Sequence, residues 1–181
     1  MPMAIPVFHT ADMVRALPDD GKRYETVHGE LLVTPAPRPL HQVVVGRLQD
    51  ALTRYLREHP AGYLFASPAE ISWGPDILVQ PDLFVVPLDE ARTLDWARMR
   101  SLLLAIEVLS PSSLRADRFT KRRLYQEMGV PLYWIVDADA GAVEAWTPDA
   151  VFPAAPVREL GWEPAGFRPF MLPLQELFRP I

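Results

Sequence analysis

One segment constrains this chain more than any other. Leu102-Leu103-Leu104-Ala105-Ile106-Glu107-Val108-Leu109 is apolar on both faces except at Glu107. Successive strand residues point to opposite faces, so a run of this kind belongs in the middle of a sheet covered on both sides. An ionised carboxylate in such a strand is costly unless a cation, a hydrogen-bonding partner or a proton compensates it. The residues alone leave two readings of Glu107 open: a metal ligand, or a strand-end carboxylate that is partly hydrated or paired with an arginine.

The covering layers are also legible. From Leu40 to Glu58, Val44, Val45, Leu48, Leu52, Tyr55 and Leu56 follow the helical 3, 4, 7 spacing, with polar residues on the other faces. Ser113 to Met128 reads as a second helix, stopped by Gly129 and Pro131. A short helix is expected at Thr10 to Leu17, with Thr10 as its N-cap. Arg23 to Val27 and Glu30 to Thr34 read as a hairpin turning at His28-Gly29, followed by a stiff connector over residues 35–39. Further strands are expected at Gly62 to Trp73, Leu78 to Val86, Leu132 to Val136 and Ala142 to Trp146. From Val151 on the chain reads as proline-rich and irregular, with a short helical run at Leu174 to Phe178. The expectation is one mixed α/β domain with its core at about 22–147 and an extension over 148–181.

Composition narrows the chemistry. There is no cysteine among 181 residues, so thiol catalysis and thiolate zinc sites are excluded. The four histidines (His9, His28, His41 and His59) lack zinc-protease spacing, which leaves carboxylates, hard ligands suited to Mg²⁺ or Mn²⁺. The net charge of −5 argues against simple coating of DNA but permits one basic face. No long uncharged apolar run suggests a membrane span. Met1 to Thr10 lacks a basic n-region and a long apolar stretch, so the expected compartment is the cytoplasm.

Asp82 opens the apolar strand Leu83-Phe84-Val85-Val86. If that strand pairs with the Glu107 strand, both carboxylates can share one side and a divalent cation. Asp117, Lys121 and Tyr125 are spaced by four and share a helix face. An exposed i,i+4 ion pair is the ordinary fate of such a spacing. Yet Lys121 is one of only two lysines, the other being Lys22, and a lysine supplies a compact charge for orienting water or neutralising a phosphate.

Tyr24-Glu25, Gly29-Glu30-Leu31, Leu40-His41, Pro81-Asp82, Ile106-Glu107-Val108-Leu109-Ser110-Pro111-Ser112, Asp117, Lys121, Tyr125 and the run Gly129 to Asp137 occur in that order. Together they resemble the Uma-type restriction endonuclease family of the PD-(D/E)XK superfamily, from about Tyr24 to Phe178. The resemblance implies a restriction-endonuclease-like core, a mixed sheet flanked by helices with a metal site at one edge. It makes Asp82 the motif aspartate, Glu107 the second acid, Glu30 an auxiliary acid and His41 a further site position. Leu109 stands where the motif lysine is expected, and Lys121 takes that role from the following helix.

The implied activity is hydrolysis of DNA phosphodiester bonds with Mg²⁺ or Mn²⁺. Arg115, Arg118, Arg122 and Arg123 are candidates for phosphate contacts or, equally, a solvated helix face. Glu25 and Glu70 read as surface carboxylates. The rival readings are a catalytically silent binding module and a small-nucleotide phosphohydrolase. The binding-module reading allows a homodimer, with the apolar Leu132 to Val136 strand and an exposed tail available for self-association.

Overall fold

The computed structural model describes residues 7–181; Met1 to Pro6, part of the segment read above for a leader, lie outside them. Thr10 caps α1 (Ala11–Arg15) as expected, its side chain accepting from the Met13 N–H. The hairpin of β1 (Arg23–Val27) and β2 (Glu30–Thr34) turns through His28 and Gly29. Both have positive φ, 49° and 82°, the backbone that a two-residue turn of matching twist requires. Pro39 at the first helical position starts α2 (Pro39–Glu58), one residue earlier than its apolar spacing suggested.

The two long strand candidates each divide. Gly62 to Trp73 becomes β3 (Tyr63–Ala66) and β4 (Ile71–Gly74). Leu78 to Val86 becomes β5 (Ile77–Val79) and β6 (Leu83–Val86), separated by Gln80-Pro81-Asp82. Proline at 81 cannot donate to a ladder, so the chain leaves one sheet and enters another there. The short α3 (Leu88–Ala91) precedes β7 (Leu104–Val108), every residue of which is buried. The following helix is π-wound from Ala116 to Lys121 and continues as α4 (Arg122–Glu127). Gly129, at φ 68°, ends it, and the Val130 N–H closes back on the Tyr125 carbonyl. Strands β8 (Tyr133–Asp137) and β9 (Ala142–Trp146) follow as expected.

The central sheet has the order β3-β6-β7-β8-β9, parallel only between β7 and β8. A second sheet runs β2-β1-β5-β4. Val44, Leu48 and Leu52 of α2 cover one face of the central sheet, against Leu83, Val85, Leu104 and Ile106. Leu124 and Tyr125 of α4, with Ile71, Ile77 and Val79 of the second sheet, cover the other, against Phe84, Ala105 and Ile135. Strand β7 is therefore central and doubly covered, as its sequence demands.

Residues beyond Val151 are not irregular. They form β10 (Glu159–Trp162), β11 (Phe170–Pro173) and α5 (Leu174–Leu177). Leu160, Trp162, Phe170, Leu172 and Leu177 join the α2 side of the core. Proline density had concealed two short strands whose alternate residues point inward. Both grounds for self-association are accordingly altered: β8 lies between β7 and β9, and much of the tail's apolar surface is already buried. Among the described residues no helix is long and apolar enough to cross a membrane.

Candidate active site

Leu83 pairs with Ile106, so one step outward Asp82 faces Glu107. Asp82 has the parity of Phe84, and Glu107 that of Ala105. Both carboxylates therefore lie toward the α4 side of the sheet, as the sequence reading required. Asp82 is fixed from three directions. Its Oδ2 accepts from the Val108 N–H at 2.8 Å and lies 3.1 Å from His41 Nε2, while its Oδ1 accepts from Arg23 Nη1 at 2.7 Å. Burial alone would raise its pKa. The His41 hydrogen bond and the Arg23 charge outweigh that and hold it well below the usual carboxylate range.

Lys121 reaches the acid from the helix. Its Nζ donates to Glu107 Oε1 at 2.8 Å and stands 2.8 Å from Glu25 Oε2 and 3.3 Å from Asp117 Oδ1, with the residue only 1% exposed. The π-wound turn keeps Asp117 and Lys121 on the inward face. Tyr125 lies 3.3 Å from Glu107 Oε1, and the Tyr133 hydroxyl donates to the Asp117 carbonyl. Burial pushes the Glu107 carboxyl well up, against the Lys121 charge, and raises Asp117 as well. Burial would lower Lys121, but Glu107, Glu25 and Asp117 hold it above the ordinary lysine value.

Two members escaped the sequence reading. Glu25, taken for a surface carboxylate, is fully buried; its Oε1 accepts from the Gln80 N–H at 2.7 Å and its Oε2 faces Lys121. Glu30, assigned as the auxiliary acid, is exposed at the start of β2 and contributes nothing to the cluster. The correction follows from alternation: Arg23, Glu25 and the buried Val27 share one face of β1. That alternation was the available signal. Arg23 had no signal beyond it. Glu70 is a partly exposed ion-pair partner of Arg15, in keeping with its surface assignment.

Arg23 completes the arrangement. Its Nη1 bonds Asp82 Oδ1 and the Gln80 carbonyl, its Nη2 lies 3.9 Å from Glu107 Oε2, and its Nε lies 3.9 Å from Glu25 Oε2. Arg23, His41 and Asp82 line a cleft of about 310 Å³ together with Lys22, Gln42 and Ser110. The arginines proposed for phosphate contact divide. Arg118 is paired with Glu144 and Asp137, and Arg122 lies over the Trp146 ring. Arg115 and Arg123 are exposed.

The donor set can be tested against a divalent ion. Glu25, Asp82, Glu107 and Asp117 confront Arg23 and Lys121, an excess of two negative charges before His41 is counted. Glu107 Oε2 is buried without a hydrogen-bond partner among the described residues. No three carboxylate or imidazole groups among those residues form a ready cage, and the Arg23 guanidinium lies among the three nearest acids. Hard oxygen donors, an excess of two negative charges and an unpartnered acid oxygen suit Mg²⁺ or Mn²⁺ in chemistry.

The same architecture occurs in a solved structure. A protein from Anabaena variabilis, described as a "putative nuclease belonging to DUF820", superposes with a TM-score of 0.73 at 17% identity, covering 94% of this chain and 97% of that one. This mixed sheet flanked by helices is thus a fold shared with that protein. The chain belongs to the Uma2 family, described as "Putative restriction endonuclease", which it matches over residues 11–170. No curated protein matches it.

Proposed function

We propose that this chain is a divalent-metal-dependent endonuclease that hydrolyses DNA phosphodiester bonds. One observation carries the reading: Asp82 and Glu107 face each other on adjacent strands, with His41 and Lys121 against them, beside a cleft open to solvent. Family membership supports it.

In this reading Asp82 and Glu107 hold Mg²⁺ or Mn²⁺, and Glu25 takes the supporting place first assigned to Glu30. Once bound, the ion lowers the pKa of a coordinated water and screens charge on the scissile phosphate. Lys121 is a positioning residue: its ammonium lies beneath Glu107 and favours the ionised, ligating form of that acid. His41 fixes Asp82 and is set beside the cleft, where it can contact phosphate or carry a proton. Lys22, with the exposed Arg115 and Arg123, supplies candidate phosphate contacts.

Calorimetric titration of Mn²⁺ into wild type and the Asp82→Ala/Glu107→Ala variant, with plasmid nicking on the same samples, tests this. Binding and nicking by wild type alone are expected. Absence of Mn²⁺ binding by wild type, with DNA present, would overturn it. The second reading, a nuclease-fold binding module without cleavage, is favoured by the Arg23 guanidinium standing among the acids. It predicts DNA binding that is indifferent to the metal.

A further inference from the structure

The Arg23 guanidinium is central in position yet poorly bonded. It lies among Asp82, Glu107 and Glu25 but of these acids hydrogen-bonds only Asp82, its one further bond going from the same Nη1 to the Gln80 carbonyl. Its Nε and Glu107 Oε2 are both buried without hydrogen-bond partners among the described residues, while Glu25 Oε2 faces the Lys121 ammonium at 2.8 Å. A guanidinium settled in a structural role usually presents its planar fork to a carboxylate with two parallel bonds. Here it acts as a charge at the middle of an acid cluster. That is the place a compact cation with oxygen ligands would fill more completely, at ligand distances of about 2.0–2.2 Å.

We propose that Arg23 is a displaceable internal cation: it holds the divalent seat in the metal-free protein, and the ion enters by turning it out into the cleft. The inference rests on the metal reading above and concerns how that site is loaded. The charge count is consistent with exchange. Four acids opposing Lys121 and a divalent ion leave one negative charge over once Arg23 is out, whereas Arg23 and Lys121 leave two. The route is present too. Arg23 is the first residue of β1, its side chain is 15% exposed, and it already lines the cleft. Turned outward, it would meet an anionic phosphate while the acids close on the ion.

The test compares Mn²⁺ binding to wild type and R23Q by calorimetry and by the electron paramagnetic resonance of free Mn²⁺. It adds ¹⁵N-arginine side-chain spectra of wild type with and without Mg²⁺. R23Q is expected to bind Mn²⁺ at least tenfold more tightly, with a larger metal-dependent rise in Tm. In wild type, Mg²⁺ is expected to shift or broaden the Arg23 Nε–H resonance. Equal Mn²⁺ affinity in the two proteins would overturn the displacement while leaving the metal site standing. So would an Arg23 resonance unmoved at saturating Mg²⁺, a wild-type readout that holds even if R23Q fails to fold. Absence of binding by both folded proteins would remove the metal reading and this inference with it. Binding by R23Q alone would also overturn displacement, since the ion would then be unable to turn Arg23 out of the seat.

Discussion

Asp82 and Glu107 stand side by side on antiparallel strands, one step beyond the Leu83–Ile106 pair, yet their protonation is driven in opposite directions. Asp82 has a backbone N–H, His41 and Arg23 around it. Glu107 is fully buried, with Lys121 and the Tyr125 hydroxyl on one of its oxygens and Asp117 and Asp82 nearby. Two adjacent acids thus acquire different roles, one a fixed anion and the other an acid whose charge depends on what cation is present.

Asp82→Asn tests the fixed anion. The variant keeps the shape but loses the charge that Arg23 and His41 address. Loss of a direct ligand should exceed the 10–100-fold effects typical of ligand-supporting groups, so Mn²⁺ affinity should fall by about 100-fold or more. Calorimetry would measure this, and circular dichroism would verify the fold.

Lys121→Gln should be strongly destabilising at neutral pH. It removes the cation within 3.3 Å of Glu25, Glu107 and Asp117. Breaking a buried ion pair from one side costs about 3–5 kcal/mol. Urea denaturation should show a smaller loss when Lys121→Gln is made in a Glu107→Gln background, because fewer buried charges are then left unopposed.

The pH dependence of the metal-free protein follows from the same acids. Glu107 and Asp117 have raised folded pKa values, so between the ordinary carboxylate range, about 4, and those values the folded state binds more protons than the unfolded. Their contribution to stability therefore falls as pH rises through that window. Asp82 works the other way: its contribution is present above the ordinary carboxylate value and is lost as pH falls through its depressed folded value. Asp117→Asn should gain stability relative to wild type as pH is raised above the ordinary carboxylate range, because the raised folded value makes ionisation of Asp117 costly there. Parallel stability curves for the two proteins would contradict this.

Leu177→Ala should cost about 2–5 kcal/mol, the range for emptying a packed leucine site, because Leu177 is fully buried on the α2 side of the central sheet. Truncation after residue 147 would strip away Leu160, Trp162, Phe170 and Leu172 too, and should leave no cooperative thermal transition.

Salt-dependent DNA binding separates the basic residues. Lys22→Ala, at the cleft and held only in a solvent-exposed pair with Asp20, should weaken affinity and reduce the salt slope by up to about one. Arg118→Ala should leave the slope unchanged, since its guanidinium is engaged by Glu144 and Asp137.

The sequence made β7 and its acid legible because no other segment is so apolar, and it made α2 legible through its helical spacing. The shared side of Asp82 and Glu107 was legible only on condition that their strands pair; the i,i+4 spacing placed Lys121 on a face with Asp117 and Tyr125, and its role at the site came from the family resemblance. Glu25 and Arg23 were not legible. Their strand lies in a different sheet, and nothing local says that this sheet packs against α4 and the Glu107 face. The tail failed for another reason: prolines at its turns masked the inward alternation of Leu160-Trp162 and Phe170-Leu172. Splitting of the two long strand candidates depended on Pro81 and on a change of sheet, which is a tertiary event.

The placement of Arg23 and Glu25 two residues apart on β1 has a consequence for folding. A strand slipped by one residue turns its other side inward. Tyr24 and Thr26 now sit on the opposite face of β1, the tyrosine bonded to Asp20 and the buried threonine to the His9 carbonyl. A slipped hairpin would leave Lys121 facing a phenol and a hydroxyl, and both displaced charges would lose their counterparts at once. The acid cluster therefore proofreads the alignment of the two sheets: only the correctly threaded hairpin sets Arg23 against Asp82 and Glu25 against Lys121.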